Sequence, residues 1–346
     1  MDGDYAPHGS VAAVALREAT SDLLFDFRVR LGARVGDEIA RYILFLCGLS
    51  VLMVLGFIVF VLVEQSLEFF AEIRITDFFF GTEWRQPTTV EISEGANRAR
   101  YGVLPLITGT LLVTMGAVII GLPVGVATAI YLAEYAPDQL RRLLKPVLEL
   151  LAGIPSIVFG FFALHAVSPI VQKLTDPGSL LWYIFGKEEA LIFNALNGII
   201  VVGIMVIPII TALSEDAIRA VPRHLKEASL AVGATRWETT RHVVVPAALS
   251  GIVASFVLGV ARAIGESMAV ALAVGTTPQL TFNPVHTVQT MTAFIVQRTG
   301  GDTPQEGPPF TSLFAVGLVL FAMTLILNII AQRFVNKYRE KDGGNL

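Results

Sequence analysis

The sequence has little charge and almost no cysteine. Only 16% of its 346 residues are charged, whereas an ordinary soluble domain carries about 25%, and the mean hydropathy is positive at +0.66. This shortage of charge predicts a membrane protein. Cys47 is the only cysteine, so the chain can form neither an internal disulfide nor a cysteine-based zinc or iron–sulfur site. The formal net charge of −4 excludes a generally basic surface for nucleic acid.

The sequence also lacks the motifs of an enzyme. No G-x-x-x-x-G-K-[ST] phosphate loop occurs in it, so the chain is not expected to hydrolyse ATP. The five histidines show no metal-ligand spacing, and no catalytic dyad or triad is evident. We therefore expect no catalytic residue, no bound metal and no cofactor in this chain.

Six long apolar runs are present instead. Each can cross about 30 Å of hydrocarbon, which takes roughly 20 helical residues. The first run is too long for the apolar part of a signal peptide and no small-residue cleavage site follows it, so it is expected to remain as a helix. The predicted fold is an all-α integral membrane protein with transmembrane helices at 42–63, 103–132, 147–171, 191–213, 247–275 and 310–331.

The distribution of basic residues predicts the orientation of these helices. The connections on one side carry 17 Lys and Arg, and those on the other side carry 7. Because basic residues are retained in the cytoplasm, both termini are expected there. The predicted order is a cytoplasmic tail (1–41), a first transmembrane helix (42–63), an extracytoplasmic loop (64–102), a five-helix core (103–332) that includes a cytoplasmic loop (214–246), and a cytoplasmic tail (333–346).

The cytoplasmic loop at 214–246 has the signals of a rigid structure. Pro222 suits the first position of a helix and Gly233 suits a C-terminal cap, which predicts a short helix between them. Thr235 and Glu238 have the spacing of a capping box that opens a second helix. A loop of this kind fits either contact with a partner protein or an amphipathic helix that lies on lipid.

A second pattern runs through the same loop. Glu227, Ala228 and Ser229 are followed after three residues by Gly233, and after nine more by V-x-V-P, which ends at Pro246. This spacing resembles the EAA loop, E-A-A-x3-G-x9-I-x-L-P, in the membrane subunits of binding-protein-dependent ABC importers. The resemblance implies that the short helix docks in a cleft of a separate ATP-hydrolysing subunit. It also implies that the turn at Gly233 passes the motion of that subunit to the fifth span.

The predicted fifth transmembrane helix carries a charged pair. Arg262 and Glu266 are four residues apart, which places them one turn apart on one helix face. An arginine near the bilayer centre costs about 2.5–3.5 kcal/mol, and a helical ion pair returns only about 0.3–0.5 kcal/mol. The pair should therefore face water or buried partners. Either it locks neighbouring helices together, or Arg262 lies on the path of an anion while Glu266 holds Arg262 and prevents tight trapping.

The segment around this pair points to a narrower family. The run G-V-A-R-A-I-G-E-S-M-A-V resembles the fifth span of the PstC family of phosphate-importer permeases, and 101–111, 131–137 and 151–160 add further similarity. The resemblance implies the six-helix fold of type I ABC importer permeases. It also implies that Arg262 and Glu266 line the pathway of inorganic phosphate through the cytoplasmic (inner) membrane of a bacterium or archaeon.

The same resemblance implies an assembly. The partners would be a homologous PstA-like permease, two PstB-like ATPases that bind ATP and Mg, and an extracytoplasmic PstS-like phosphate-binding protein; nucleic acid is not expected. The outward loops 64–102, 172–190 and 276–309 would receive the binding protein. Two alternatives remain open: a permease for another oxyanion such as sulfate, molybdate or phosphonate, and a carrier that needs no ATPase.

Overall fold

The structure is a computed structural model that describes the backbone of residues 9–86, 99–300 and 307–343. Side chains are described between residues 38 and 333 within these ranges, Leu180 excepted. The chain divides into two contact units, Met1–Val61 and Leu62–Leu346. The first unit, where described, is the beginning of one long helix, α1 (Gly9–Glu72). This helix contains the predicted first span, 42–63, and extends beyond both of its predicted bounds.

The described chain has five helical segments that are long and apolar enough to cross a membrane. They are Glu38–Glu72, Leu104–Tyr135, Ser156–Leu174, Ala195–Arg219 and Pro308–Arg333. A sixth is present if Arg236–Ala247 and Leu249–Gly265, which meet at a bend of 69°, form one broken span. The predicted all-α membrane fold is confirmed, and the number of spans agrees when the bent pair is counted.

The helices of the second unit follow in chain order. They are α2 (Ile75–Phe80), α3 (Leu104–Ile130), α4 (Asp138–Gly153), α5 (Ser156–Phe162), α6 (Ser168–Leu174), α7 (Leu180–Ile184), α8 (Ala195–Arg219), α9 (Arg223–Ala231), α10 (Arg236–Thr239), α11 (Val245–Ala247), α12 (Leu249–Gly265), α13 (Met268–Val274), α14 (Met291–Thr299) and α15 (Pro308–Gly343). The π-helical turns Tyr131–Tyr135, Ala163–Val167 and Thr240–Val244 continue α3, α5 and α10. Two short antiparallel strands, β1 (Trp84–Arg85) and β2 (Arg100–Tyr101), form the one sheet among the residues described.

Helices α3 and α8 pack closely because small residues lie between them. A Cβ atom at Gly121 would lie 2.5 Å from Val206 Cγ2 and 3.0 Å from the carbonyl oxygen of Gly203. A Cβ atom at Gly125 would lie 2.8 Å from Ile210 Cγ2. The missing side chains let the two backbones approach, as small residues do in membrane helix pairs. The buried side chains of Val206 and Ile210 fill the space that these glycines leave.

The third predicted span, 147–171, is wrong at its start. Helix α4 ends at Gly153, and both Ile154 and Pro155 are extended, with ψ of 130° and 136°, before α5 begins at Ser156. Proline disfavours the helical conformation at the residue before it, so the chain turns here. The apolar sequence continues through the turn, which is why hydropathy alone merges α4 with the span that follows.

Charged side chains fix α4 to the end of α8. Arg141 Nε lies 2.7 Å from Glu215 Oε1, and Lys145 Nζ lies 3.2 Å from Asp216 Oδ1. Glu215 is only 1% exposed, and Arg219 Nη1 approaches the same oxygen at 3.8 Å. A carboxylate buried to this extent is tolerated only when cations or hydrogen-bond donors surround it. These contacts therefore set the position of α4 against α8.

Aromatic rings pack the region that follows the first span. Phe69, Phe78, Trp84, Tyr101 and Phe294 are buried and meet edge to face, with ring centroids 5.0–6.3 Å apart. Such pairs contribute roughly 0.5–1.5 kcal/mol each beyond the area they bury. Burial raises the pKa of the Tyr101 hydroxyl to about 12. The cluster joins the end of α1, α2, the β-hairpin and α14, so that α14 has a fixed place in the second unit.

We predict that Gly121→Val lowers the thermal stability of the detergent-solubilised protein, because the added side chain overlaps Val206 and the Gly203 carbonyl. Overpacking of this kind costs about 1–3 kcal/mol. The matched control is Gly56→Val in α1, where a Cβ atom meets nothing within 4 Å. Thermal unfolding followed by tryptophan fluorescence should give a lower midpoint for the first variant than for the second. Equal midpoints would contradict the close α3–α8 contact.

Candidate functional site

The predicted fifth span contains a break in its middle. Helix α12 ends at Gly265, Glu266 is extended with φ −68° and ψ 126°, and α13 begins at Met268. The continuous helix predicted over 247–275 is therefore wrong. The segment contains Gly265 but no proline, so the sequence gives only a weak signal for the break. We refer to Gly265–Met268 as the helix break.

Hydrogen bonds from outside the span hold the helix break in place. The Thr292 hydroxyl, in the first turn of α14, donates to the Glu266 carbonyl oxygen at 2.7 Å. The Met291 N–H donates to Thr110 Oγ1 of α3 at 3.0 Å, so the start of α14 is attached to α3 as well. Breaking a helix inside a membrane frees backbone groups, which neighbouring helices must satisfy. Helix α14 does this for the Glu266 carbonyl.

The Glu266 carboxylate caps α13 and does not bind Arg262. Glu266 is 8% exposed, and its Oε1 accepts the Ala269 N–H at 3.2 Å. Among the residues described, no carboxylate lies within the 4.0 Å ion-pair distance of Arg262. The expected ion pair between Arg262 and Glu266 is thus absent from the described structure, because the extended backbone at Glu266 takes its side chain off the α12 face.

Arg262 consequently has an exposed side chain in the last turn of α12. A guanidinium facing hydrocarbon costs about 2.5–3.5 kcal/mol even on the most lenient scale. This cost is avoided when the side chain faces water or another protein. Its planar donors then remain available for an anion, which they can bind at two oxygens together. The role of Arg262 and Glu266 on a pathway stays a prediction.

The cytoplasmic loop has the helix–turn–helix structure that its sequence predicts. Helix α9 lies between Pro222 and Val232, and Gly233 follows with a φ of +92°, a value that favours glycine. Thr235 and Glu238 form the expected capping box at the start of α10.

The remaining residues of the EAA-like pattern lie along this loop. Glu227 and Ala228 are exposed on α9, whereas Ser229 is half-buried and its hydroxyl lies 2.9 Å from the Thr239 hydroxyl. Pro246 is exposed in α11, directly before the 69° bend into α12. Their roles in docking stay predictions.

Four apolar side chains of the loop are exposed. Leu225, Leu230, Val232 and Trp237 are 39%, 45%, 85% and 59% exposed. Exposed apolar residues on a short, rigid element suit a surface that contacts a protein or a membrane. The two alternatives given for this loop therefore both have the surface that they need.

Two further groups of residues were missed by the sequence interpretation. Thr110 and Thr292 hold the helix break, yet they lie 181 and 26 residues from the groups they bond. Glu134 and Lys226 form an ion pair of 2.5 Å across 92 residues. No sequence motif identifies hydroxyl groups or single charged residues that meet across such long stretches of chain. Among the described residues, no group of three or more His, Cys, Asp or Glu is placed to hold a metal ion.

The protein has several membrane-spanning helices, one of them interrupted, and a rigid loop before the fifth span. This is the architecture of a transport permease. Comparison with known proteins identifies its family. Residues 121–340 match the family described as "Binding-protein-dependent transport system inner membrane component". The chain belongs to this family of membrane permeases.

Two of the three relatives described here have the PstC name that the sequence resemblance indicated. The chain is 36% identical to "Phosphate transport system permease protein PstC 1" of Mycobacterium tuberculosis, over 75% of this chain and 81% of the relative. It is 32% identical to PstC of Xylella fastidiosa, over 79% and 82%. It is 38% identical to "Probable ABC transporter permease protein YqgH" of Bacillus subtilis, over 70% and 74%. The resemblance to the PstC permeases is confirmed.

A solved structure shares the fold at low sequence identity. A chain of a bacterial ABC transporter, described as involved in the import of the acidic polysaccharide alginate, has a TM-score of 0.50 at 14% identity. The match covers 68% of this chain and 79% of that chain. This likeness supports the ABC importer permease fold and carries nothing about substrate.

We predict that Thr292→Val destabilises the protein, because valine keeps the volume of threonine but leaves the buried Glu266 carbonyl without its donor. An unpaired buried group costs about 1–3 kcal/mol. Thr292→Ser, which keeps the hydroxyl, is the matched control. Thermal unfolding in detergent should separate the two variants, and a valine variant as stable as the serine variant would count against the bond.

Proposed function

We propose that this chain is the permease subunit of an ATP-driven importer that translocates inorganic phosphate delivered by an external binding protein. The observation that carries the proposal is the Arg262 guanidinium, which lies beside a helix break without a described carboxylate partner. Membership of the transport family and the PstC names of relatives support the same function.

The chemistry of Arg262 suits phosphate. Phosphate carries one to two negative charges at neutral pH, and a guanidinium offers paired donors to its oxygens. Because Glu266 is bound to the Ala269 N–H and forms no described ion pair with Arg262, the guanidinium donors of Arg262 stay available to an anion. A buried carboxylate nearby also disfavours permanent retention of the anion, which a transport site must release.

The cytoplasmic loop suits a partner that supplies the energy. Helix α9 has no buried residue, and its exposed apolar side chains offer a surface for an ATP-hydrolysing subunit. Gly233 and the capping box make the turn to α10 stiff. Since α10 continues through Pro246 to α12, displacement of α9 reaches the helix that bears Arg262.

The proposed assembly contains a homologous PstA-like permease, two PstB-like ATPases that bind ATP and Mg, and an extracytoplasmic PstS-like phosphate-binding protein. The partner permease would complete the water-filled path that Arg262 requires. Both termini and the loop at 214–246 would lie in the cytoplasm, and the protein would reside in the cytoplasmic membrane of a bacterium or archaeon.

Another oxyanion is the first alternative, because a guanidinium binds sulfate, molybdate or phosphonate by the same geometry. Only the PstC resemblance argues for phosphate. A carrier that works without an ATPase is the second alternative, and the exposed, rigid α9 argues against it.

The decisive measurement is uptake of radiolabelled phosphate by proteoliposomes that contain the permeases, the ATPases and the binding protein. Competition by arsenate but not sulfate is expected; uptake without ATPases would exclude the proposal.

We predict that Arg262→Gln reduces ATP-dependent phosphate uptake roughly 10- to 100-fold, since a hydrogen bond to a charged group contributes about 1.5–3 kcal/mol. Arg262→Lys keeps the charge but loses the paired donors, so its uptake should be intermediate. Both variants should assemble with their partners, because no described ion pair depends on Arg262. Wild-type uptake by the glutamine variant would remove Arg262 from the pathway.

A further inference from the structure

Helix α9 is joined to the membrane-spanning helices by more than its own chain. Lys226 Nζ lies 2.5 Å from Glu134 Oε1, in the π-helical turn that continues α3. The two side chains are only 21% and 16% exposed. A short hydrogen bond between charged groups is stronger when water is largely excluded, unlike an exposed ion pair, which contributes little.

Among the residues described, this ion pair is the side-chain bond that links α9 to a membrane-spanning helix. No residue of α9 is buried. The apolar cluster next to the loop also contains no residue of α9. This cluster consists of Ala129, Ile218, Val221, Val244, Ala248 and Ile252. Ser229 bonds Thr239 within the loop itself. In the part of the chain that the structure describes, the ion pair with Glu134 is the one that a residue of α9 forms with a membrane-spanning helix.

Glu134 lies at one end of a continuous helical segment whose other end contacts α14, the helix that supports the helix break. The segment runs from Leu104 to Tyr135, and Thr110 near its start accepts the Met291 N–H. From Thr110 to Glu134 the helix rises about 36 Å at 1.5 Å per residue. The next residue after Met291, Thr292, holds the Glu266 carbonyl. One helix therefore touches α9 at one end and the support of the break at the other.

We propose that Glu134 is a positioning residue for coupling. Through Lys226 it ties α9 to α3, so that displacement of α9 moves α3 and, through Thr110 and α14, the helix break beside Arg262. This inference rests on the proposed function, in which an ATPase moves α9. Loss of the ion pair leaves ATP hydrolysis in place and reduces the phosphate moved for each ATP consumed.

The test measures uptake and ATP hydrolysis in the same proteoliposomes containing the complete importer. Glu134→Gln and Lys226→Gln should each lower the ratio of phosphate transported to ATP hydrolysed about five-fold or more, with ATP hydrolysis retained. The double variant Glu134→Lys with Lys226→Glu reverses the pair and should restore most of the ratio. A double-variant cycle of this kind isolates the pairwise contribution.

Lys145→Gln provides the matched control, since its ion pair with Asp216 joins α4 to α8 and does not involve α9. This variant should keep the wild-type ratio. The inference is overturned if Glu134→Gln transports as much phosphate per ATP as the wild type, or if the reversed pair fails to recover. If the wild-type importer itself takes up no phosphate, the proposed function fails, which is a different result from an unchanged Glu134 variant.

Discussion

A guanidinium within a membrane-spanning helix must be hydrated or bound by protein, and this requirement governs the middle of the structure. Arg262 has no described carboxylate partner, and the one acidic residue a helical turn away is bound elsewhere. The opposite charges are separated by a break in the helix and form no ion pair among the described residues. Since such a charge is not tolerated against hydrocarbon, α12 is required to face a wet or protein-lined space. The supports around it, Thr292 above all, keep that break in one conformation.

The cytoplasmic loop is subject to a different physical requirement: in the proposed function it must transmit displacement without bending. Gly233 takes a backbone conformation that other residues rarely adopt, and the capping box satisfies the first donors of α10. On the side facing the core, Lys226 is bound to Glu134. A loop with exposed apolar residues and this degree of internal bonding is stiff before any partner is bound, which lowers the entropic cost of docking.

The six apolar runs and the helix–turn–helix of the loop could be predicted from the sequence because each depends on residues that are close together in the chain. Hydropathy over about 20 residues identifies a span whatever its neighbours are, and capping depends on residues three positions apart. Where an apolar run continues through a bend, the same reasoning fails. Hydropathy merged α4 with α5 into one predicted span, although Pro155 marks the turn between them. It also merged α12 with α13, where no proline is present between Glu266 and Met268.

The sequence by itself determined that the chain crosses the membrane several times, carries an importer-type loop and places an arginine within a span. Only the tertiary structure decided how that arginine is presented. Helical spacing predicted an ion pair between Arg262 and Glu266, but a hydroxyl 26 residues away and the N–H of Ala269 stabilise an extended backbone instead. The Thr292 hydroxyl becomes a neighbour of the Glu266 carbonyl only after α14 has packed against the fifth span, and no local pattern encodes that contact.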